Sequence, residues 1–138
     1  MDLTLSYCTL AVHDLGEALG FYRHVLGFQV RDDIEFEGMR WVSVSPLSQP
    51  DLQIVLIPPD TVRGASPADR QAIEDLMANG LLGRLVFETD NCDATFEHIE
   101  ATGADVMQEP INQPHGVRDC AFTDPSGNIL RFTQPRHQ

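Results

Sequence analysis

The stretch from residue 10 to residue 28, LAVHDLGEALGFYRHVLGF, decides how this chain of 138 residues folds. It opens on the end of a strand-like alternating segment that spans Leu3 to Val12. Asp14 followed by Glu17 is typical of a helix start, because such side chains satisfy backbone N–H groups of the first turn. Apolar residues then recur at helical spacing until Gly27, which supplies a left-handed stop. The stretch therefore predicts a strand, a capped helix and a sharp turn.

The same pattern of a strand, a helix and three further strands occurs twice in the chain. Three strand-like runs, Phe28 to Phe36, Met39 to Ser45 and Leu52 to Ile57, complete a first βαβββ unit. The second half repeats the order, with strands or helices predicted at 84–89, 91–103, 105–108, 117–123 and 129–133. One unit of about 55 residues cannot easily bury its own sheet face, so we expect the two sheets to pair.

These patterns predict one α+β domain with three parts. The domain spans residues 1–138 and comprises module one at 1–59, a connector helix at 60–81 and module two at 82–138. In the connector, Ser66 is suited to cap a helix, Pro67 suits its first turn, and Asn79 followed by glycine ends it.

The charge balance excludes several classes of partner. The chain has 9 basic and 21 acidic residues, for a net charge of −12. Such a chain repels phosphate backbones and anionic lipid, so we expect neither nucleic acid nor a membrane surface as a partner. All basic residues are arginines, and the absence of lysine excludes Schiff-base chemistry and the P-loop lysine.

Cysteine usage and the N-terminal residues point to a reducing compartment. Cys8, Cys92 and Cys120 are widely spaced and form no C-x-x-C motif, so neither a disulfide framework nor a zinc cluster is expected. The first residues do not resemble a signal peptide, and no stretch approaches the ~18 apolar residues of a membrane span. We therefore expect a cytoplasmic protein.

Two motifs resemble those of one known superfamily. Residues 10–28 are similar to the opening of vicinal-oxygen-chelate proteins, and Phe122 to Asn128, FTDPSGN, resembles their closing D-P-x-G-N turn. This superfamily includes glyoxalase I, bleomycin-resistance proteins and ring-cleaving extradiol dioxygenases. The resemblance covers nearly the whole chain. It implies two βαβββ modules whose curved, mixed sheets surround a cavity, often in a homodimer.

In the enzymatic branch, the resemblance implies a divalent metal held by His, Glu or Gln side chains on the first and fourth strands of each module. Carried over to this sequence, the four ligand positions fall on Tyr7, Val55, Arg84 and Arg131. Valine has no donor atom, and arginine is permanently cationic. No histidine pair at ligand spacing compensates. We therefore expect no metal and no cofactor, and the sequence assigns no catalytic residue.

Strand alternation predicts instead a small-molecule site, because one face of each sheet mixes apolar surface with guanidinium groups. The predicted ligand-binding residues are Tyr7, Trp41, Gln53, Val55, Arg84, Glu88, Phe122 and Arg131. Two interpretations of the arginines stay open. They bind an anionic or carbonyl-rich ligand, or they form internal ion pairs with Glu88 or Asp119.

Three functions remain at this point. The leading hypothesis is metal-independent binding of a small organic molecule, an anionic one included, as in bleomycin-resistance-type proteins. An alternative is a glyoxalase-like or dioxygenase-like enzyme (a lyase, isomerase or ring-cleaving oxygenase) with metal ligands elsewhere or with Tyr7, Arg84 or Arg131 as its working groups. The third is an interaction module whose cavity is filled by side chains. For all three, the resemblance implies a homodimer.

Overall fold

The computed structural model describes residues 1–135 and confirms the α+β fold with two βαβββ modules; residues 136–138 of the predicted module two lie outside the described residues. Module one comprises β1 (Tyr7–Ala11), α1 (Leu15–Gly20), β2 (Gln29–Phe36), β3 (Met39–Ser45) and β4 (Gln53–Ile57). Between the modules lies α2 (Pro67–Ala78). Module two comprises β5 (Arg84–Glu88), α3 (Cys92–Glu100), β6 (Asp105–Asn112), β7 (Val117–Thr123) and β8 (Ile129–Pro135). No helix among residues 1–135 is long and apolar enough to cross a membrane.

Both modules arrange their strands in the same way. The sheet of module one has the order β1-β4-β3-β2, and that of module two has the equivalent order β5-β8-β7-β6. In each sheet the first strand runs parallel to the fourth, whereas the remaining neighbours are antiparallel. The register places Thr9 opposite Val55 in one sheet and Val86 opposite Arg131 in the other.

The helix of module one begins where the sequence predicts and then departs from the prediction. The Asp14 side chain accepts a hydrogen bond from the Glu17 backbone N–H at 2.8 Å, so the expected cap is present. Helix α1 is followed by one π-helical turn (Phe21–Val25), and Gly27 has the left-handed φ of +71°. The wider turn accompanies the burial of two consecutive aromatic rings, Phe21 and Tyr22, which α-helical spacing would point about 100° apart.

Two strand boundaries differ from the prediction because pairing, and not local pattern, sets them. Strand β1 begins at Tyr7 and not at Leu3, because its partner strand β4 begins at Gln53, opposite Tyr7. Strand β6 continues past Gln108 to Asn112. It contains a proline, which is tolerated because β6 is an edge strand whose other side needs no ladder partner.

One hydrophobic core serves both modules. Alternate residues of the strands turn inward to it, as predicted; they include Leu10, Val12, Ile54, Leu56, Leu130 and Phe132, with Cys8, Leu85 and Phe87 packed at its margin. The rings of Phe28 and Phe87, from different modules, lie 5.5 Å apart between centroids. Helix α1 contacts β4, and α3 contacts β6, β7 and β8, so each helix covers the sheet of its own module, while contacts such as this one join the two halves into a single core.

The closing D-P-S-G-N motif joins the two modules, and we call residues 124–128 the module clasp. Asp124 accepts a 2.7 Å hydrogen bond from the Tyr22 hydroxyl, and the Asn128 amide donates to the Ala11 carbonyl at 2.8 Å. Burial, together with the Asp124 carboxylate, raises the pKa of Tyr22, so this hydroxyl remains a donor. Gly127 has a φ of +94°, and a Cβ there would collide with the Met77 carbonyl at the end of α2. Only glycine fits this turn.

Candidate ligand-binding site

The face of each sheet that points away from the core is exposed in the single chain, and we call these two surfaces the open faces. In β5, Leu85 and Phe87 pack at the core margin, while Arg84, Val86 and Glu88 alternate with them and are exposed. Strand β1 shows the same alternation, with Tyr7 and Thr9 exposed, whereas the centres of the inner strands β4 and β7 are buried on both faces. The open faces are therefore the first place to look for a site.

The open face of module one carries an exposed aromatic pair. The rings of Tyr7 and Trp41 meet edge to face, with centroids 6.0 Å apart and planes at 81°. Tyr7 is 50% exposed and Trp41 is 39% exposed. Beside Trp41, the hairpin of β2 and β3 adds Ile34 opposite it and Phe36 opposite Met39, all exposed. This face offers a continuous apolar and aromatic surface to a partner molecule.

Beneath the aromatic pair lies a hydrogen-bonded floor. The Ser43 hydroxyl is 2.8 Å from the Gln53 side-chain oxygen and 3.3 Å from an Asp32 carboxylate oxygen. Val55 lies between β1 and β3 at this level and is only 1% exposed. Val55 thus lies on the predicted face but is covered in the single chain, and its contact with a ligand stays a prediction.

The open face of module two is polar and is organised around Asp119. Asp119 is 3% exposed and accepts hydrogen bonds from the side-chain amides of Gln108 (2.8 Å) and Gln113 (3.0 Å). Arg131 donates through Nη1 to the Gln108 side-chain oxygen at 2.9 Å, and the same nitrogen lies 3.4 Å from an Asp119 carboxylate oxygen. We call these four residues the Asp119 cluster.

The cluster keeps Asp119 ionised. Burial alone would raise the pKa of this carboxyl, but hydrogen bonds from Gln113 and Gln108 and the positive charge of Arg131 outweigh it, and the pKa is lowered. The sequence left open whether Arg131 binds a ligand or forms an internal ion pair. The internal pair with Asp119 is present in the structure. The Nε and Nη2 groups of Arg131 have no partner in the part of the chain that the structure describes, and its side chain is partly exposed.

Two predicted roles are corrected by the structure. Among residues 1–135 no ion pair joins Arg84 to Glu88, because four residues of a strand span about 13 Å. Phe122 does not line an open face: it is fully buried in the core, with its ring 5.3 Å from that of Phe96. Strand β7 turns Asp119 toward the open face, so the alternation turns Phe122 to the opposite side.

The positions where related enzymes hold a metal do not fit one here. Val55 offers no donor atom, and Arg84 and Arg131 bring positive charge to the other module. Within residues 1–135, no group of three or more His, Cys, Asp or Glu side chains is placed to hold a metal ion.

The sequence did not single out several polar residues of these faces. Gln108 sits at the end of the predicted β6, and Gln113 lies in the loop that follows it, so no strand pattern marked either. A groove of about 720 Å³ between the modules was missed as well; Phe28, Leu47 and Val86 are among the residues that line it. Two connecting segments of module one, at 25–28 and 46–49, meet β5 and α3 of module two there, and only the three-dimensional structure brings these together.

Comparison with known proteins assigns the chain to a family. The sequence model of one protein family, described as the Glyoxalase/Bleomycin resistance protein/Dioxygenase superfamily, matches residues 4–132. The chain belongs to this superfamily, and the resemblance seen in the sequence is confirmed.

Solved structures and curated relatives are similar over nearly the whole chain. The structure of UcmS2 is 31% identical, with a TM-score of 0.89, and covers 96% of this chain and 98% of that one. TnmS3 from Streptomyces sp. CB03234, described as an antibiotic binding protein, is 27% identical, with a TM-score of 0.75 and 97% of each chain covered. The uncharacterized protein YurT of Bacillus subtilis (strain 168) is 25% identical over 127 residues, which are 91% of this chain and 94% of that protein.

Proposed function

We propose that this protein binds a small organic molecule on its open faces, in stoichiometric amount and without a metal. The observation that carries the proposal is the exposed Tyr7–Trp41 pair, on a scaffold whose metal positions hold valine and arginine. The similarity to TnmS3, an antibiotic binding protein, supports a ligand of antibiotic type. Binding that sequesters a compound requires affinity but no catalytic group.

The chemistry of the faces describes the ligand further. Tyr7 and Trp41 favour a flat apolar ring system, since aromatic contacts add about 0.5–1.5 kcal/mol beyond the area they bury. The free N–H groups of Arg131 favour oxygen acceptors on the same molecule. A ligand with a fused ring and carbonyl or hydroxyl groups satisfies both requirements.

We also propose that a second copy of the chain covers the open faces. A small-molecule site normally buries 70–90% of its ligand, roughly, which one open sheet face does not achieve. Phe36 and Val86 are 68% and 67% exposed on these faces, an arrangement that a homodimer would explain. Light scattering coupled to size-exclusion chromatography is expected to give twice the mass of one chain. In Phe36→Asp the measured mass should fall toward that of one chain, because the exposed apolar contact is lost. A monomer at all concentrations would contradict the homodimer.

The test of binding uses Trp41, the single tryptophan of the chain, as a built-in reporter. A panel of aromatic antibiotics is titrated while Trp41 emission is recorded, and calorimetry measures stoichiometry. We expect a saturable change with one compound bound per chain, and mass spectrometry should recover that compound unchanged. Conversion of the compound would favour the enzyme alternative. Absence of saturable binding across the panel would refute the proposal.

A further inference from the structure

Asp119 is a buried carboxylate whose charge opposes the binding of an anion beside it. It lies beside Arg131 on the open face of module two and is held by two glutamine amides. Burying a charge costs several kcal/mol unless partners compensate, so this arrangement needs all three neighbours. They maintain a negative charge at the very arginine that would otherwise attract an anionic ligand.

The rest of this face gives no excess of positive charge. Arg84 and Glu88 are exposed on the same side of β5 and offset each other. Asp105 lies opposite Thr123 at the end of the sheet and adds a further carboxylate. With a chain net charge of −12, the surrounding potential also repels anions.

Arg131 nevertheless keeps hydrogen-bonding capacity. Its Nη1 group is engaged by Gln108 and Asp119, while Nε and Nη2 have no partner within residues 1–135. An arginine whose charge is balanced in this way still donates N–H groups in a fixed direction. It can serve a carbonyl oxygen without requiring a negative charge on the ligand.

We propose that the Asp119 cluster acts as a charge filter, which admits uncharged aromatic molecules with acceptor oxygens and rejects their anionic analogues. This inference rests on the proposed function and narrows its ligand class. It also replaces the expectation that the arginines select an anion. Asp119 is a specificity-determining residue that acts by orienting and neutralising Arg131.

The experiment compares two fluorescent probes with the same ring skeleton. 7-Methoxycoumarin is uncharged and carries a ring carbonyl oxygen, and 7-methoxycoumarin-3-carboxylate differs from it by one carboxylate. We expect the wild-type protein to bind the uncharged probe more tightly. In Asp119→Asn, the ratio of the two dissociation constants should shift by about tenfold toward the anionic probe, because one nearby negative charge has been removed.

Matched variants isolate the role of this one carboxylate. Asp33→Asn removes the same charge from the exposed pair with Arg40, whose two hydrogen bonds are both 2.8 Å, and should leave the probe ratio unchanged. Adding Arg131→Gln to Asp119→Asn should abolish the gain for the anionic probe. Should Asp119→Asn fail to fold, Arg131→Gln alone is expected to shift the ratio by about tenfold against the anionic probe.

The outcomes separate this inference from the proposed function. If neither probe binds the wild-type protein saturably, the charge filter is refuted, because it requires admission of the uncharged probe; the binding function is refuted only if the antibiotic panel fails as well. If both probes bind, the charge filter alone is refuted by either of two results. In the first, Asp119→Asn or Arg131→Gln leaves the ratio of the two dissociation constants at the wild-type value. In the second, Asp33→Asn shifts this ratio as much as Asp119→Asn does.

Discussion

The two open faces rest on the same strand order and the same core, yet their chemistry is opposite. Module one presents the Tyr7–Trp41 pair on an apolar surface, and module two presents an arginine neutralised by Asp119. The core-facing residues of both modules must fit one shared interior, which constrains them to apolar side chains. The open faces have no such constraint. Two modules with the same strand order can therefore carry different surfaces, one aromatic and one rich in hydrogen-bonding groups.

The connections before the last strand of each module differ just as clearly. In module two this connection is the module clasp, with Asp124 and Asn128 buried. In module one it is the loop at residues 46–52, where Leu47 is exposed and lines the groove between the modules. Only one of the two equivalent connections holds the modules together, and the other is left to form surface.

The largest expected effect comes from breaking the clasp. Asp124→Ala leaves the Tyr22 hydroxyl, one of the two side-chain N–H groups of Asn128 and two backbone N–H groups without their acceptor. We expect the free energy of unfolding, measured in urea, to fall by about 3–5 kcal/mol. Asp51→Ala in the equivalent loop of module one is the control and should change it by less than about 0.5 kcal/mol. Equal losses of unfolding free energy in the two variants would show that both connections stabilise the fold to the same extent, and would contradict this prediction.

A smaller effect tests the division between the faces. Trp41→Ala removes an exposed ring from the open face of module one, so the uncharged probe should bind about tenfold more weakly. The Asp119→Asn change in module two should leave that same affinity within about threefold, because this probe carries no charge. Leu47→Ala, in the loop of module one, serves as the control for lost apolar surface. A weaker effect of Trp41→Ala than of Leu47→Ala would move the site to the groove.

The smallest expected effect on stability comes from a hydrogen bond in the turn that follows β1. In module one, His13 lies 2.8 Å from Glu74 of α2, and this hydrogen bond and charge raise the pKa of His13. A raised pKa in the folded state means that the pair stabilises fully below about pH 6.5 and is lost as the pH rises through the raised value. The His13 side chain is 64% exposed, so the contribution should not exceed about 1 kcal/mol. Urea unfolding from pH 5.5 to 8.5 checks it, and His13→Gln should remove this pH dependence.

The periodicity of the sequence predicted the fold and the side of the sheet on which most strand residues lie. It predicted less well which residues of neighbouring strands contact each other. Alternation placed Tyr7, Arg131 and Val86 on the correct faces, because the two-residue period of a strand is written directly in its sequence. The Asp119 cluster was missed in part because β6 has two register irregularities, which bring Gln108 to Asp119. Phe122 was assigned to the wrong face because its strand partner, the core residue Leu130, is known only from the pairing of β7 with β8.

The bond between Tyr22 and Asp124 also sets a condition on how the chain is made. The two residues are 102 positions apart, so Tyr22 leaves the ribosome long before its acceptor exists. At a synthesis rate of roughly 5–20 residues per second, this wait lasts about 5–20 seconds. During it, the first half of the nascent polypeptide has its interior side uncovered, and this interval is when a chaperone or a neighbouring nascent chain has access to it.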